Sequence, residues 1–565
     1  MMELINDTKG FLSTERLSKG PWQAFERGIA RLLAHSGWEI NELVGGAGDN
    51  GADIIAAFRD ETGNLIEYIY QAKFSENNKP ISVDIIGDLK RAMEYYEIDK
   101  GVAVSNRLLS DSQNLKIESL INTGYNIGTF LSKNIYDIYV ALPVWTKETR
   151  KLKLYQAEAL SSLQNAFLRG DKQGLVCLAT GLGKTFVAAA FLRWLYENNQ
   201  NINVLILANT KSLIEQFDKA IWTNLPKWVA THLVYDSEKP SFFEGVTLST
   251  FQSFQQFRQL SEDIKYDLVI VDEAHHAPAV TYSKILRNLE PRFILGLTAT
   301  PFRSDDRDIS EIFGQPLIYY SVYNALQKGF LAKVEYQLKN DNIDEDWITH
   351  NSKKGHTIKQ LNKKIFLPER DENICDQIFN TWNERKLERG IIFCNSSEHA
   401  ERIERILKAN YQLPAWSLTN RIKTSREKAK RLRDFRMGKI KILTCYDMLN
   451  EGVDVPDVDF IAFLRVTHSR VYFLQQLGRG LRYKEGKTLL VQDYVADIRR
   501  VARIKSFKYD MEAMKRNEIE DLFIDNAFEL KFSSSHTSNF LDLVTKDITE
   551  ESDENDEVTF NLEVY

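Results

Sequence analysis

Ala179-Thr180-Gly181-Leu182-Gly183-Lys184-Thr185 holds the most concentrated chemistry in this chain. An apolar run, Gly174 to Leu178, precedes it, and Phe186-Val187-Ala188-Ala189-Ala190-Phe191-Leu192, rich in helix formers, follows. Strand, glycine-rich turn and helix together present backbone N–H groups to a phosphate at a helix N-terminus. In such a turn Lys184 reaches the β/γ-phosphates of a nucleotide and the Thr185 hydroxyl ligates Mg²⁺. The full pattern has a further glycine where Leu178 stands, so the loop needs support from elsewhere. Downstream, Tyr266 to Val271 reads as a buried strand with Asp272-Glu273-Ala274-His275 at its C-terminal end. There one carboxylate can hold Mg²⁺ while its neighbour polarises the attacking water, as phosphoryl transfer requires. A solvated acidic turn is the bland alternative, and the phosphate loop upstream argues against it.

A second polar set lies near the N-terminus. Ala52 to Phe58 and Glu67 to Phe74 read as strands joined by a turn at Thr62-Gly63-Asn64. Gln71 and Lys73 are two apart and share a face, and hairpin pairing sets Asp53 beside them. A carboxylate holding a divalent metal, with a lysine near the scissile phosphate, suits phosphodiester hydrolysis. A hairpin with exposed charges has the same spacing. Pro21 to Ala34 reads as an amphipathic helix, with Phe25, Ile29, Leu32 and Leu33 on one stripe. Phe25-Glu26, Gly37-Trp38, Gly48-Asp49-Asn50-Gly51-Ala52-Asp53 and Gln71-Ala72-Lys73 resemble the Mrr-type restriction endonuclease domain of the PD-(D/E)xK fold, over about residues 20–125. The resemblance implies Asp53 as the metal-binding aspartate and Gln71 at the second, usually acidic, position. It implies Lys73 as the lysine and Glu26 as an extra carboxylate on the first helix. An amide is a weaker ligand than a carboxylate, so Gln71 leaves the number of metal ions open. Val83 to Tyr96 and Ile117 to Thr123 read as helices around a strand, Gly101 to Ser105, and Ala141 to Trp145 as an exit linker.

The elements around the phosphate loop alternate. Leu154 to Leu160 opens a helix in which Gln156 could read an adenine edge or simply face solvent. Val204 to Ala208, Val246 to Thr250 and Phe293 to Leu297 are buried-strand runs, each followed by polar residues (Asn209-Thr210-Lys211, Phe251-Gln252-Ser253, Thr298-Ala299-Thr300-Pro301). This is a doubly wound parallel sheet with its site on the C-terminal edge. Further strands, Gly390 to Cys394 and Ile440 to Cys445, precede Glu451-Gly452-Val453-Asp454-Val455-Pro456 and Gln475-Gln476-Leu477-Gly478-Arg479-Gly480-Leu481-Arg482. Arg479 and Arg482, three apart on an expected helix, share a face. They could act as arginine fingers toward a triphosphate.

In this order the motifs resemble a superfamily 2 helicase or translocase of the kind found in restriction-enzyme motor subunits, over about residues 150–500. The resemblance implies that ATP sits between two lobes, with Gln156 on adenine. Thr180, Gly181, Gly183, Lys184 and Thr185 would hold phosphate and Mg²⁺, and Asp272 and Glu273 would be the metal and catalytic carboxylates. Gly452 and Asp454 would line the nucleotide side. His275, Thr298 and Thr300 would couple ATP state to nucleic-acid grip. Thr210, Thr250, Asn395 and Thr444 would contact nucleic acid, although helix N-capping explains Thr210 and Thr250 equally well.

Length and composition fit this division. A chain of 565 residues, 43% hydrophobic and 27% charged, holds three or four domains. The expected division is 1–148 nuclease, 149–320 and 321–500 the two RecA-like lobes, and 501–565 a helix, Arg503 to Leu530, with an acidic tail from Glu550 to Glu557. The polar, Lys-rich stretch Asn340 to Arg370 reads as a solvated insertion or a phosphate contact. No run approaches the ~18 apolar residues of a membrane span. The acidic start, Met-Met-Glu-Leu-Ile-Asn-Asp, lacks the apolar core of a signal peptide. Cys177, Cys375, Cys394 and Cys445 lack metal-ligand spacing and fit core packing in a reduced, cytoplasmic protein. A net charge of −6 does not advertise nucleic-acid binding, which local basic grooves could still supply. Taken together, the expectation is an ATP- and Mg²⁺-dependent DNA motor fused to a nuclease that restricts foreign DNA such as phage, with other defence-system subunits as candidate partners. A DNA or RNA translocase in repair, whose nuclease-like domain only binds nucleic acid, is the rival.

Overall fold

The computed structural model describes residues 9–43, 52–77, 79–147, 150–198, 201–235, 238, 240, 242–258, 264–277, 280–299, 309–339, 355–357, 371–446, 448–449, 455, 457–465, 470–494, 528–532 and 559–561. The expected α/β class holds. The chain divides into two compact units: 1–177 with 183–303 and 307–318, and 319–565 with 178–182 and 304–306.

The first unit opens with a mixed five-stranded sheet: β1 (Glu39–Leu43), β2 (Ile54–Arg59), β3 (Leu65–Lys73), β4 (Lys100–Ser105) and β5 (Asn126–Leu131), in that order. β2 pairs antiparallel with both β1 and β3, while β4 and β5 add on in parallel. The β2–β3 turn is fastened by Asp60, whose Oδ1 accepts from Thr62 N at 3.0 Å and from Asn64 N at 2.8 Å. Around the sheet lie α1 (Thr14–Lys19), α2 (Trp22–His35), α3 (Ile85–Tyr96), α4 (Asp111–Asn122) and α5 (Ser132–Ala141). The predicted stripe of α2 (Phe25, Ile29, Leu32, Leu33) is buried against Ile54, Ala56, Tyr70 and Ala72. Each such side chain contributes about 1.5–3 kcal/mol when fully buried.

The same unit contains a seven-stranded sheet: β6 (Gln173–Leu178), β7 (Val204–Ala208), β8 (Thr231–Val234), β9 (Val246–Thr250), β10 (Leu268–Asp272), β11 (Phe293–Thr298) and β12 (Pro316–Tyr320). Their order is β12-β6-β11-β10-β7-β9-β8, and β6 to β11 pair in parallel. The apolar runs of β7 and β10 follow from burial on both faces. α6 (Leu154–Arg169), α7 (Lys184–Asn198) and α8 (Lys211–Ile221) flank this sheet.

In the second unit lie β13 (Lys333–Leu338), β14 (Gly355–Thr357), β15 (Gly390–Phe393), β16 (Ala415–Leu418), β17 (Ile442–Cys445), β18 (Phe460–Phe463), β19 (Thr488–Asp493), β20 (Phe528–Phe532) and β21 (Thr559–Asn561). Seven of them form a parallel sheet, β16-β17-β15-β18-β19-β13-β20, and β14 pairs antiparallel with β21. β20 corrects one expectation, since Phe528 to Leu530 belong to a strand and not to a helix. Pairing with β13 decides their state over local helix preference.

All four cysteines are buried and free, as core packing requires. Among the described residues no helix is long and apolar enough to cross a membrane. Thr300, Gly452, Asp454, residues 45–51, the stretch 340–370 apart from β14, and the acidic run lie outside the described residues.

Candidate active sites

The ATPase motifs meet where strand ends meet the phosphate loop. β10 ends at Asp272, and the chain turns there through Glu273, whose φ of +48° is left-handed. A non-glycine residue there costs about 1–2 kcal/mol, and such strain concentrates at functional sites. Glu273 N donates to Asp272 Oδ1 at 3.1 Å. Glu273 Oε1 lies 3.7 Å from Lys184 Nζ, and its Oε2 lies 3.4 Å from His275 Nδ1. His275 Nδ1 in turn lies 3.1 Å from Thr298 Oγ1 at the end of β11. Lys184, Glu273, His275 and Thr298 thus form one continuous polar chain, each at most 9% exposed.

Gly181 and Gly183 adopt φ of +89° and +84°. A Cβ on Gly183 would stand 2.8 Å from Gln156 Nε2, so the loop needs glycine there for both conformation and space. Gln156 is buried rather than solvated. Its Oε1 accepts from Lys153 N at 3.0 Å, capping α6 while the amide presses on the loop. Buried Glu273 Oε2 makes no hydrogen bond. Hard oxygens on Thr185, Asp272 and Glu273 beside the Lys184 ammonium are a donor set that fits Mg²⁺ and phosphate.

The nuclease residues also converge. Asp53 Oδ2 accepts from Gln71 Nε2 at 2.7 Å and from Ala72 N at 2.6 Å, so the β2–β3 register sets Asp53 against Gln71. Buried Gln71 Oε1 has no hydrogen-bond donor. Lys73 Nζ lies 4.0 Å from Asp88 Oδ2 on α3, a neighbour for which the sequence carries no motif. The Glu26 carboxyl is pushed well above its usual range, first by burial and then by the Asp53 carboxylate, with Lys73 and Arg27 opposing. Two carboxylates facing each other beside an orphaned amide oxygen fit a divalent cation. Among the described residues no cluster of three His, Cys, Asp or Glu could hold a metal, since Gln71 takes the third place here.

Other predicted positions fare differently. Thr210 caps α8, accepting from Leu213 N at 3.3 Å. Thr250 accepts from Ser253 N at 3.1 Å and donates to Ser253 Oγ at 2.9 Å. Asn395 is exposed just past β15. Thr444 corrects the expectation that it faces nucleic acid. It is fully buried in a central strand, and its hydroxyl donates to Ala400 O at 2.8 Å. Arg479 and Arg482 are not on a helix. The helix Arg470–Leu477 ends before them, and Arg482 bridges to Leu331 as an isolated strand pair. Gly478 and Gly480, both poor helix formers, explain the break.

Sequence reasoning missed a set of buried charges where α1 and α2 pack on the first motor sheet. Arg27 makes a bidentate pair with Glu238 at 2.7 and 2.6 Å, and its Nε lies 3.7 Å from Asp218 Oδ2. Arg31 donates to Val229 O at 2.8 Å and Pro226 O at 3.1 Å. Arg16 contacts His232 Nδ1 at 2.6 Å. Burial pushes Arg16 and Arg31 down to about 10. Trp222, just past α8, belongs to the nuclease core. The available signal was Arg27 and Arg31, one helical turn apart on the helix that carries the apolar stripe.

The architecture is that of a restriction-endonuclease-like domain followed by two RecA-like lobes. Residues 17–114 match the family described as restriction endonuclease, 149–303 the type III restriction enzyme res subunit, and 369–484 the helicase conserved C-terminal domain. These matches mark residues 17–114 as a restriction-endonuclease domain of the Mrr type and residues 149–303 and 369–484 as the two parts of a superfamily 2 helicase motor. It is 28% identical over 365 residues to a candidate mitochondrial ATP-dependent helicase of Schizosaccharomyces pombe, covering 62% of this chain and 58% of that protein. It is 24% identical over 365 residues to the endonuclease subunit of the type I restriction enzyme EcoAI of Escherichia coli, covering 59% of this chain and 44% of that one. In fold it is similar to the ATP-dependent type ISP restriction-modification enzyme LlaBIII bound to DNA. That match has a TM-score of 0.51 at 15% identity, over 93% of this chain and 42% of that one. The chain therefore spans about half the length of these three relatives.

Proposed function

We propose that this protein is an ATP-driven DNA translocase whose nuclease domain cleaves DNA phosphodiesters, and that it acts in the restriction of foreign DNA such as phage. The observation that carries the reading is one compact unit holding both the Lys184–Glu273–His275–Thr298 chain and the Glu26, Asp53, Gln71 and Lys73 cluster. The likeness to restriction-enzyme subunits supports the biological setting.

In the motor, Lys184 and the loop N–H groups bind the phosphates, and Thr185 and Asp272 would hold Mg²⁺. Lys184 then exchanges Glu273 for phosphate, freeing the Glu273 carboxylate to orient and deprotonate the attacking water. Gln156 contacts adenine. His275 and Thr298 pass the state of Glu273 to the strand ends beside Thr210 and Thr250, which grip the DNA backbone with little sequence reading. In the nuclease, Asp53, Gln71 Oε1 and Glu26 would hold Mg²⁺. When bound, the ion polarises the phosphate and lowers the pKa of a ligated water. Lys73 stabilises charge on the scissile phosphate.

The test is cleavage of linear and covalently closed plasmid DNA with Mg²⁺, with and without ATP, by wild type, Lys184→Ala and Lys73→Ala. Loss in both variants establishes a motor-coupled nuclease. DNA-stimulated ATP hydrolysis without cleavage in any arm replaces it with a translocase that only grips DNA through the N-terminal domain.

A further inference from the structure

We propose that the first motor lobe completes the nuclease site: Glu238, with Asp218, holds Arg27 and through it α2, so that Glu26 stands opposite Asp53. The inference rests on the nuclease reading above and assigns its positioning residues.

Glu26 and Arg27 are consecutive on α2, so Glu26 cannot keep its place unless Arg27 keeps its own. Arg27 is spent on the motor lobe. Both terminal nitrogens bond Glu238, and Nε faces Asp218. These acids come from two elements, Asp218 from α8 and Glu238 from the segment after β8. Their side chains are 2% and 4% exposed against 12% for Arg27. A planar guanidinium gripped at both ends by buried carboxylates has one orientation, unlike a surface pair. α2 is pinned along its length as well, by Arg31 on the carbonyls of Val229 and Pro226 and by His35 Nε2, 2.9 Å from Trp222 O. Trp222 sits among Phe25, Ile29 and Leu32 of α2. The nuclease helix thus shares its core and its buried charges with the motor.

The remaining metal-type ligands do not share this dependence. Asp53 and Gln71 are fixed inside the β2–β3 hairpin by bonds at 2.7 and 2.6 Å. Glu26 arrives from a separate element, α2, and Arg27 with Glu238 and Asp218 supplies that element's restraint from outside the hairpin.

The experiment uses the full chain without nucleotide. Mn²⁺ binding is followed by electron paramagnetic resonance, counting the part lost in Asp53→Ala, with DNA-stimulated ATP hydrolysis measured in parallel. Glu238→Gln and Arg27→Gln should each raise the half-saturating Mn²⁺ concentration for that part by about tenfold or more, the cost typical of losing a partner that orients a ligand. Combining them should add little, and ATP hydrolysis should stay within about twofold, well inside the effect of losing a catalytic group. Glu238→Asp should recover part of the loss. A wild-type Mn²⁺ midpoint in folded, ATPase-active Glu238→Gln overturns the inference. If Glu238→Gln does not fold, the swap Arg27→Glu/Glu238→Arg decides: recovered Mn²⁺ binding supports the inference and failure in an ATPase-active protein overturns it. Wild type with no Asp53-dependent Mn²⁺ binding overturns the nuclease reading itself, a result distinguishable from either.

Discussion

The two candidate sites of the first unit are built by opposite strategies. In the ATPase site Lys184, Asp272, Glu273, His275 and Thr298 stand at the end of a parallel strand or just after it, so the chain direction that makes the sheet also delivers the chemistry. The nuclease site takes Asp53, Gln71 and Lys73 from one hairpin and Glu26 from a helix fixed by another domain's carboxylates. A site assembled from strand ends survives as long as its sheet does. One that borrows a ligand across a domain seam depends on the seam as well.

The comparison can be broken from either side. The largest effect expected is Lys184→Ala, which should lower ATP hydrolysis by at least about a hundredfold, while Asp53-dependent Mn²⁺ binding stays at the wild-type midpoint. A parallel loss of Mn²⁺ binding would mean the two sites are not separable. Next, Trp222→Ala should destabilise the first unit by about 3–5 kcal/mol, because Trp222 is 1% exposed and packed in the nuclease core. Denaturant unfolding followed by limited proteolysis reads this, with the nuclease domain becoming cleavable before the motor.

Acid should open the seam through His35. Its ring is pushed down to about 3, by burial and then by Arg31. Since it titrates near 6.5 in the unfolded chain, its contribution is fully present above pH 6.5 and is lost as pH falls from there toward 3. At pH 5 the loss amounts to about 2 kcal/mol. Melting midpoints of wild type and His35→Gln between pH 7.5 and 5 check the sign, the variant showing the shallower fall. The smallest effect is Thr210→Ala, which should cost about 1 kcal/mol as a lost cap. DNA affinity measured at fixed salt then sharpens its role, because a residue that only caps leaves affinity unchanged.

The phosphate loop, the Asp272–Glu273 pair and the β2–β3 hairpin were legible because each motif lies within a strand and its turn. Local spacing fixes relative position there, with side chains two apart on one face and polar residues at strand ends. Arg479 and Arg482 were misread as helical because the motif's spacing looks like a helix turn, while Gly478 and Gly480 end the helix. Thr444 was misread because the alternation of a parallel strand turns one of two neighbouring residues into the covered face, and only the packing helix Ser397–Tyr411 shows which. Phe528 to Leu530 were placed in a helix because nothing local announces a strand whose partner, β13, lies far back in the chain.

The sequence alone determined the classes of chemistry and the elements bearing them: phosphate binding at a helix start, paired carboxylates at a strand end, and an acid-amide-lysine set on a hairpin. Only the tertiary structure decided that Arg27, the neighbour of Glu26, is held by Glu238 and Asp218 of the motor. Those charges are far apart in the chain and carry no motif. Their pairing follows from the burial of α2 against the motor sheet, where a guanidinium without polar partners would be too costly to leave.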